Sequence, residues 1–134
     1  KVDWSLQRGR IKSACDKYQI KAIWAEENSI GGPNIEALQK DGMPVHPFTT
    51  TAQSKGEIIE SLALFVERKE GVLLNDPVAT LEMQAYELER LPSGRFRYGA
   101  PDGMHDDTVI ARALAWYATS HRRRVQFAPN PFFG

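Results

Sequence analysis

Short runs of β-branched and aromatic residues alternate along this chain with segments whose apolar residues recur at helical spacing. That alternation points to an α/β architecture in which helices pack on a sheet. The segment 5–18, "SLQRGRIKSACDKY", reads as an amphipathic helix, with Leu6, Ile11, Ala14, Cys15 and Tyr18 near one face. "IKAIWAE" (20–26) reads as a strand, and the glycine-rich "NSIGGPN" after it as a loop. Pro33 opens a helix that Gly42 stops, and "MPVHPF" is a short strand whose prolines confine it to an edge or an irregular pairing. "TTTAQSK" caps a helix over about 53–69, in which Ile58, Ile59, Leu62, Phe65 and Val66 form the apolar face. "GVLLN" (71–75) reads as a strand and "DPVATLEMQAYELERL" as a helix, with Asp76 as N-cap and Pro77 at its first position. A hairpin or extended segment turns at Ser93-Gly94, and a last helix runs from about 105 to 121.

The chain has 134 residues, the size of one domain with a real core. Lysine plus arginine equals aspartate plus glutamate, at 17 each, so any surface for a polyanion has to come from local clustering. The single cysteine, Cys15, cannot form an internal disulfide, and there is no zinc-type ligand spacing. No apolar run approaches the roughly 18 residues of a membrane span, and no P-loop pattern is present, so these residues are not themselves a nucleotide-driven motor. The chain starts at "KVDWSLQRGR", without a methionine or a signal peptide, and is expected to be part of something longer.

Chemistry concentrates in two places. His105, Asp106 and Asp107 stand in a row ahead of the apolar helix "TVIARALAWYA". One acid there can cap the helix and a second can meet its dipole. Two adjacent acids exceed what capping needs, and the loop "APDGM" that leads into them is the kind of element that carries sites over a rigid scaffold. The second place is the end of the first strand, where Glu26 and Glu27 follow an apolar run. Strand alternation sends them to opposite sides, so at most one joins a shared site. Ends of strands are where open α/β folds place ligands. A glutamate here and an aspartate pair at a helix start could converge on one hard cation, Mg²⁺ or Mn²⁺, whose binding removes their repulsion. Solvated acids and ordinary helix caps remain the duller reading of the same residues.

Taken together, "AEENSIGGPNIEALQKDG", "FTTTAQSKGEIIESLA" and "GRFRYGAPDGMHDDTVIARALAWY" resemble the C-terminal nuclease domain of tailed-phage terminase large subunits, over residues 1 to about 120. The resemblance implies an RNase H-like fold, akin to the RuvC resolvases: a central mixed sheet flanked by helices, here lacking its first strand or strands. It implies a nuclease domain over 1–121 and a basic, proline-containing tail over 122–134. It also implies a divalent-metal-dependent endonuclease that cuts concatemeric double-stranded DNA during genome packaging, with two Mg²⁺ or Mn²⁺ ions in the complete domain. Carried over by position, Glu26, Asp106 and Asp107 are the metal ligands. Asp107 is the favoured direct one, and His105 stands in the catalytic group beside them. The family's first catalytic aspartate, on the first strand, has no match here, so this stretch alone is expected to be a poor nuclease. The implied partners are double-stranded DNA, the portal protein, the small terminase subunit and an ATPase domain upstream, in the cytoplasm of a host cell and with no membrane.

Lys55, at a helix start, and Arg95 and Arg97, on the hairpin, are the candidate DNA-binding residues, with solvated surface positions as the alternative. His46 and His121 read as surface residues, Trp24 and Trp116 as core, and Gly31 and Gly32 as a turn. Two other functions remain open on the residues alone. One is a cellular RNase H- or resolvase-like nuclease, and the other is a non-catalytic module that docks a packaging partner.

Overall fold

The computed structural model describes the backbone of residues 3–126 and the side chains of residues 3–120. The order of elements is α1 (Trp4–Tyr18), β1 (Ile23–Glu26), α2 (Glu27–Ile30), α3 (Gly32–Lys40), β2 (Val45–Phe48), α4 (Ala52–Glu67), α5 (Pro77–Ala85), β3 (Glu87–Arg90), β4 (Phe96–Gly99) and α6 (Asp107–Gln126). The chain divides into two compact units, Lys1–Thr50 and Thr51–Gly134.

In the first unit β1 and β2 pair in parallel, with Ile23 beside Val45 and Glu26 beside Phe48. A two-stranded sheet is marginal by itself, so helix packing has to hold it. Ile35 and Leu38 of α3 form a buried cluster with Met43 and Val45, against which Ile11, Cys15, Ile23, Ala25 and Ile30 pack. The spacing of Ile11 and Cys15, four residues apart, explains how α1 meets this cluster. Leu6 and Tyr18, expected on the same face, are 51% and 66% exposed. The stretch expected as a loop differs too: Glu27–Ile30 close one helical turn before Gly31, whose φ of +80° lets the chain turn into α3.

In the second unit α4 packs on α6 and α5 packs on α6. Its core is Ile58, Ile59, Leu62 and Phe65 of α4, Ala79 of α5, and Val109, Ile110, Ala113 and Leu114 of α6. Val66, expected on the apolar face of α4, is exposed in the last turn of that helix. Thr51 caps α4 with a capping box: its Oγ1 accepts from Ser54 N at 3.1 Å, and Ser54 Oγ accepts from Thr51 N at 2.8 Å. Asp76 caps α5 by accepting from Ala79 N at 2.9 Å, with Pro77 at the first position, as expected. Trp116 stacks obliquely on Phe65, with ring centroids 4.5 Å apart.

Two expectations fail in this unit. "GVLLN" forms no ladder; Val72 and Leu74 are 96% and 86% exposed, and the Leu74 carbonyl accepts from Arg112 Nη2 at 2.8 Å instead of from a strand. The helix expected through residue 91 ends at Ala85. Tyr86 turns to extended geometry, and Glu87–Arg90 pair antiparallel with Phe96–Gly99 around Gly94, at φ +82°. The described residues therefore hold two small sheets, one parallel and one antiparallel, rather than one continuous sheet. No helix among the described residues is long and apolar enough to cross a membrane. The helix expected to end at 121 continues to Gln126; the His121 side chain and the arginines of the basic tail lie outside the described side chains.

Candidate functional site

In the first unit the parallel register brings the carboxyl ends of β1 and β2 to one edge. Glu26 is the last residue of β1, and alternation puts it on the strand face that carries Trp24 rather than Ala25. Its carboxylate accepts a hydrogen bond from the Ser29 hydroxyl. Asn28 reaches across to the segment after β2: its Oδ1 accepts from Thr50 N at 2.8 Å, and its Nδ2 donates to Thr50 O at 3.3 Å. Glu27 accepts from Thr49 Oγ1 at 3.1 Å. The Glu-x-Asn-Ser spacing thus has a local cause. The one-turn helix α2 folds Ser29 back onto Glu26 while Asn28 fixes the neighbouring strand end. Thr50 Oγ1 is buried there without a hydrogen-bond partner.

In the second unit the start of α6 is the focus. The Asp106 carbonyl accepts the first helical bond, from Ile110 N at 3.0 Å, so Asp106 occupies the cap position. Its side chain does not perform the cap's work. That falls to Glu82 of α5, the buried acid of this unit at 9% exposure, whose Oε2 accepts from Thr108 N at 2.9 Å and from the Thr108 hydroxyl. The Asp106 carboxylate turns instead to Lys55, with Nζ to Oδ2 at 3.1 Å. Asp107 is exposed at the first position of the helix, and His105 is exposed just ahead of it.

The phenol of Tyr86, at the junction of α5 and β3, is buried without a hydrogen-bond partner. Burial first, and then the negative charge of Asp106, hold its pKa well above the ordinary tyrosine range, so it stays a neutral O–H beside that carboxylate. Tyr98 donates to Glu60 Oε1 at 3.1 Å; burial, followed by that bond, raises its pKa as well.

The structure thus brings Lys55 and Asp106 together and sets Asp107 beside them. Arg97 pairs with Glu89 across the hairpin at 2.7 Å, both well exposed, and Arg95 stands exposed near the turn. Gly31 and Gly32 form the entry to α3, and His46 is exposed. Among the described residues no group of three or more His, Cys, Asp or Glu side chains forms a ready-made cage for a metal ion. The donor chemistry of the second unit nevertheless suits a hard divalent ion. It offers two successive carboxylates at the positive end of a helix, one of them already holding a cation in the form of the Lys55 ammonium.

Glu82 and Tyr86 were not foreseen from the sequence. For Glu82 a signal exists: it lies three residues after Ala79, on the buried stripe of α5, where an acid needs a partner. Glu82→Ala leaves the Thr108 N–H without its acceptor and is expected to cost about 1–3 kcal/mol in urea unfolding. A cost within error of zero would mean that the start of α6 is held by other means.

No family model matches the chain. The large terminase subunit of Thermus phage G20c is 29% identical over 114 residues, which are 84% of this chain and 24% of that protein. The chain thus spans about a quarter of the length of that curated relative. The large terminase nuclease of thermophilic phage G20c with bound magnesium superposes with a TM-score of 0.78 at 27% identity, over 87% of this chain and 62% of that one. The same nuclease with bound cobalt gives 0.77 at 28% identity, over the same shares.

Proposed function

We propose that this chain, in sequence and RNase H-like fold a relative of phage large-terminase nuclease domains, works as the divalent-metal-dependent DNA endonuclease part of a packaging terminase. It would cut concatemeric double-stranded DNA in the host cytoplasm, alongside an ATPase domain, a small terminase subunit and a portal. The observation that carries this reading is the division of labour at the start of α6. Glu82 caps the helix, which leaves Asp106 and Asp107 without a structural duty that accounts for both.

Asp106 and Asp107 are the proposed ligands in the second unit and Glu26 in the first; their grouping comes from the sequence resemblance. Mg²⁺ or Mn²⁺, when bound, would activate a water and stabilise the leaving 3′ oxygen. The chain's own contribution is to hold the acids in place. Ser29 orients Glu26, the helix start fixes Asp106 and Asp107, and Tyr86 supplies a neutral donor beside Asp106. His105, exposed next to the pair, is proposed to orient the phosphate or the attacking water. Lys55, Arg95 and Arg97 are the proposed phosphate contacts, and the pairing of Arg97 with Glu89 is exposed enough to exchange for a phosphate at little cost.

The test is calorimetric titration with Mn²⁺ together with cleavage of supercoiled plasmid. In the full-length protein, wild type is expected to give saturable heat and metal-dependent nicking, which this stretch alone would give poorly, and Glu26→Ala to weaken both at least about tenfold. Unchanged heat and nicking in that variant would remove Glu26 from the site.

A further inference from the structure

Lys55 and Asp106 form the one ion pair among the described residues in which both side chains are largely withdrawn from water, at 26% and 28% exposed. Three observations make this pair more than a surface contact. Asp106 is released from capping by Glu82, so its carboxylate is free to choose its partner. The Tyr86 hydroxyl is buried without a hydrogen-bond partner, within reach of the Asp106 charge. Asp107 adds a second negative charge at the next residue, more than one ammonium can neutralise.

A lysine ammonium is a point charge on a flexible four-carbon stem, and it can leave without moving its helix. The Lys55 backbone is fixed in the first turns of α4, where its N–H donates to Thr51 O at 2.9 Å. A divalent ion and an ammonium at one carboxylate repel each other, so the two compete for Asp106.

We propose that Lys55 is a resident counter-ion of Asp106 that a divalent cation displaces, so that metal loading releases an ammonium to grip a DNA phosphate. This rests on the metal-binding reading given above. Before metal arrives, Lys55 offsets part of the repulsion between the adjacent acids. Afterwards it stands at the rim of the same site with its charge unspent. Metal and DNA then favour each other's binding, as two ligands coupled through one side chain must do reciprocally.

The experiment compares Mn²⁺ binding by calorimetry in wild type, Lys55→Met, Asp106→Asn and the double variant, with Lys55→Gln as a second removal of the charge. Both Lys55 variants are expected to bind Mn²⁺ about three- to tenfold more tightly than wild type, the scale of a partly screened ion pair. In the Asp106→Asn background, Lys55→Met is expected to change nothing. Binding of a short DNA duplex is expected to lose more affinity on Lys55→Met with Ca²⁺ present to allow binding than without divalent ion. Saturable Mn²⁺ binding whose affinity is the same or lower in both Lys55 variants overturns the inference while leaving the metal site standing. Absence of Mn²⁺ heat in wild type and variants alike overturns the metal-binding reading and this inference with it.

Discussion

In the full-length protein, Asp107→Ala is expected to lower metal-dependent DNA cleavage about a thousandfold or more while leaving the fold in place. The carboxylate at the first position of α6 is exposed, and Thr108 next to it is held by Glu82. Its loss forfeits a favourable meeting with the helix dipole, worth about 0.3–1 kcal/mol. Relief of repulsion from Asp106 offsets part of that. Net stability in urea unfolding should therefore change by less than about 1 kcal/mol, and the circular dichroism spectrum should not change. A loss of several kcal/mol, or retained cleavage, would return Asp107 to the role of an ordinary first-turn acid.

Ile58→Ala is expected to produce the largest loss of stability, about 2–5 kcal/mol. Ile58 has no exposed surface and lies on α4 where that helix packs on α6, so truncation leaves a cavity between the elements that carry Lys55 and Asp106. Denaturant unfolding monitored at the α4–α6 tryptophan, Trp116, reads it directly. A cost below about 1 kcal/mol would show that the two helices close over the gap, and that their packing is looser than the full burial of Ile58 implies.

Much of the second unit was legible in the sequence because its signals are local. The Asp76-Pro77 pair starts α5, threonines precede α4, and Ser93-Gly94 turns the hairpin. Where local signals conflicted with distant partners, they misled. Glu87–Arg90 are good helix formers and continued the period of α5, yet pairing with Phe96–Gly99 drew them into a strand. "GVLLN" has the composition of a buried strand, but a Cβ on Gly71 would stand 2.8 Å from the Phe65 ring, and Arg112 takes the Leu74 carbonyl. The segment passes close to α4 and α6 as an irregular link. The acids at the start of α6 were visible as a pair. Their freedom from capping was not, because the residue that frees them comes from another helix, 26 positions earlier for Thr108.

The capping of α6 by Glu82 has a consequence for descent. Where one residue carries both stability and chemistry, selection for a folded protein protects the chemistry too. Here the two duties are held by different residues: changes at Glu82 are purged because they bring a marginally stable chain nearer its threshold, whereas changes at 106 and 107 pass that filter. A lineage released from the need to cut DNA would lose these aspartates early and keep the fold. Inactive descendants should therefore look intact everywhere except at this helix start.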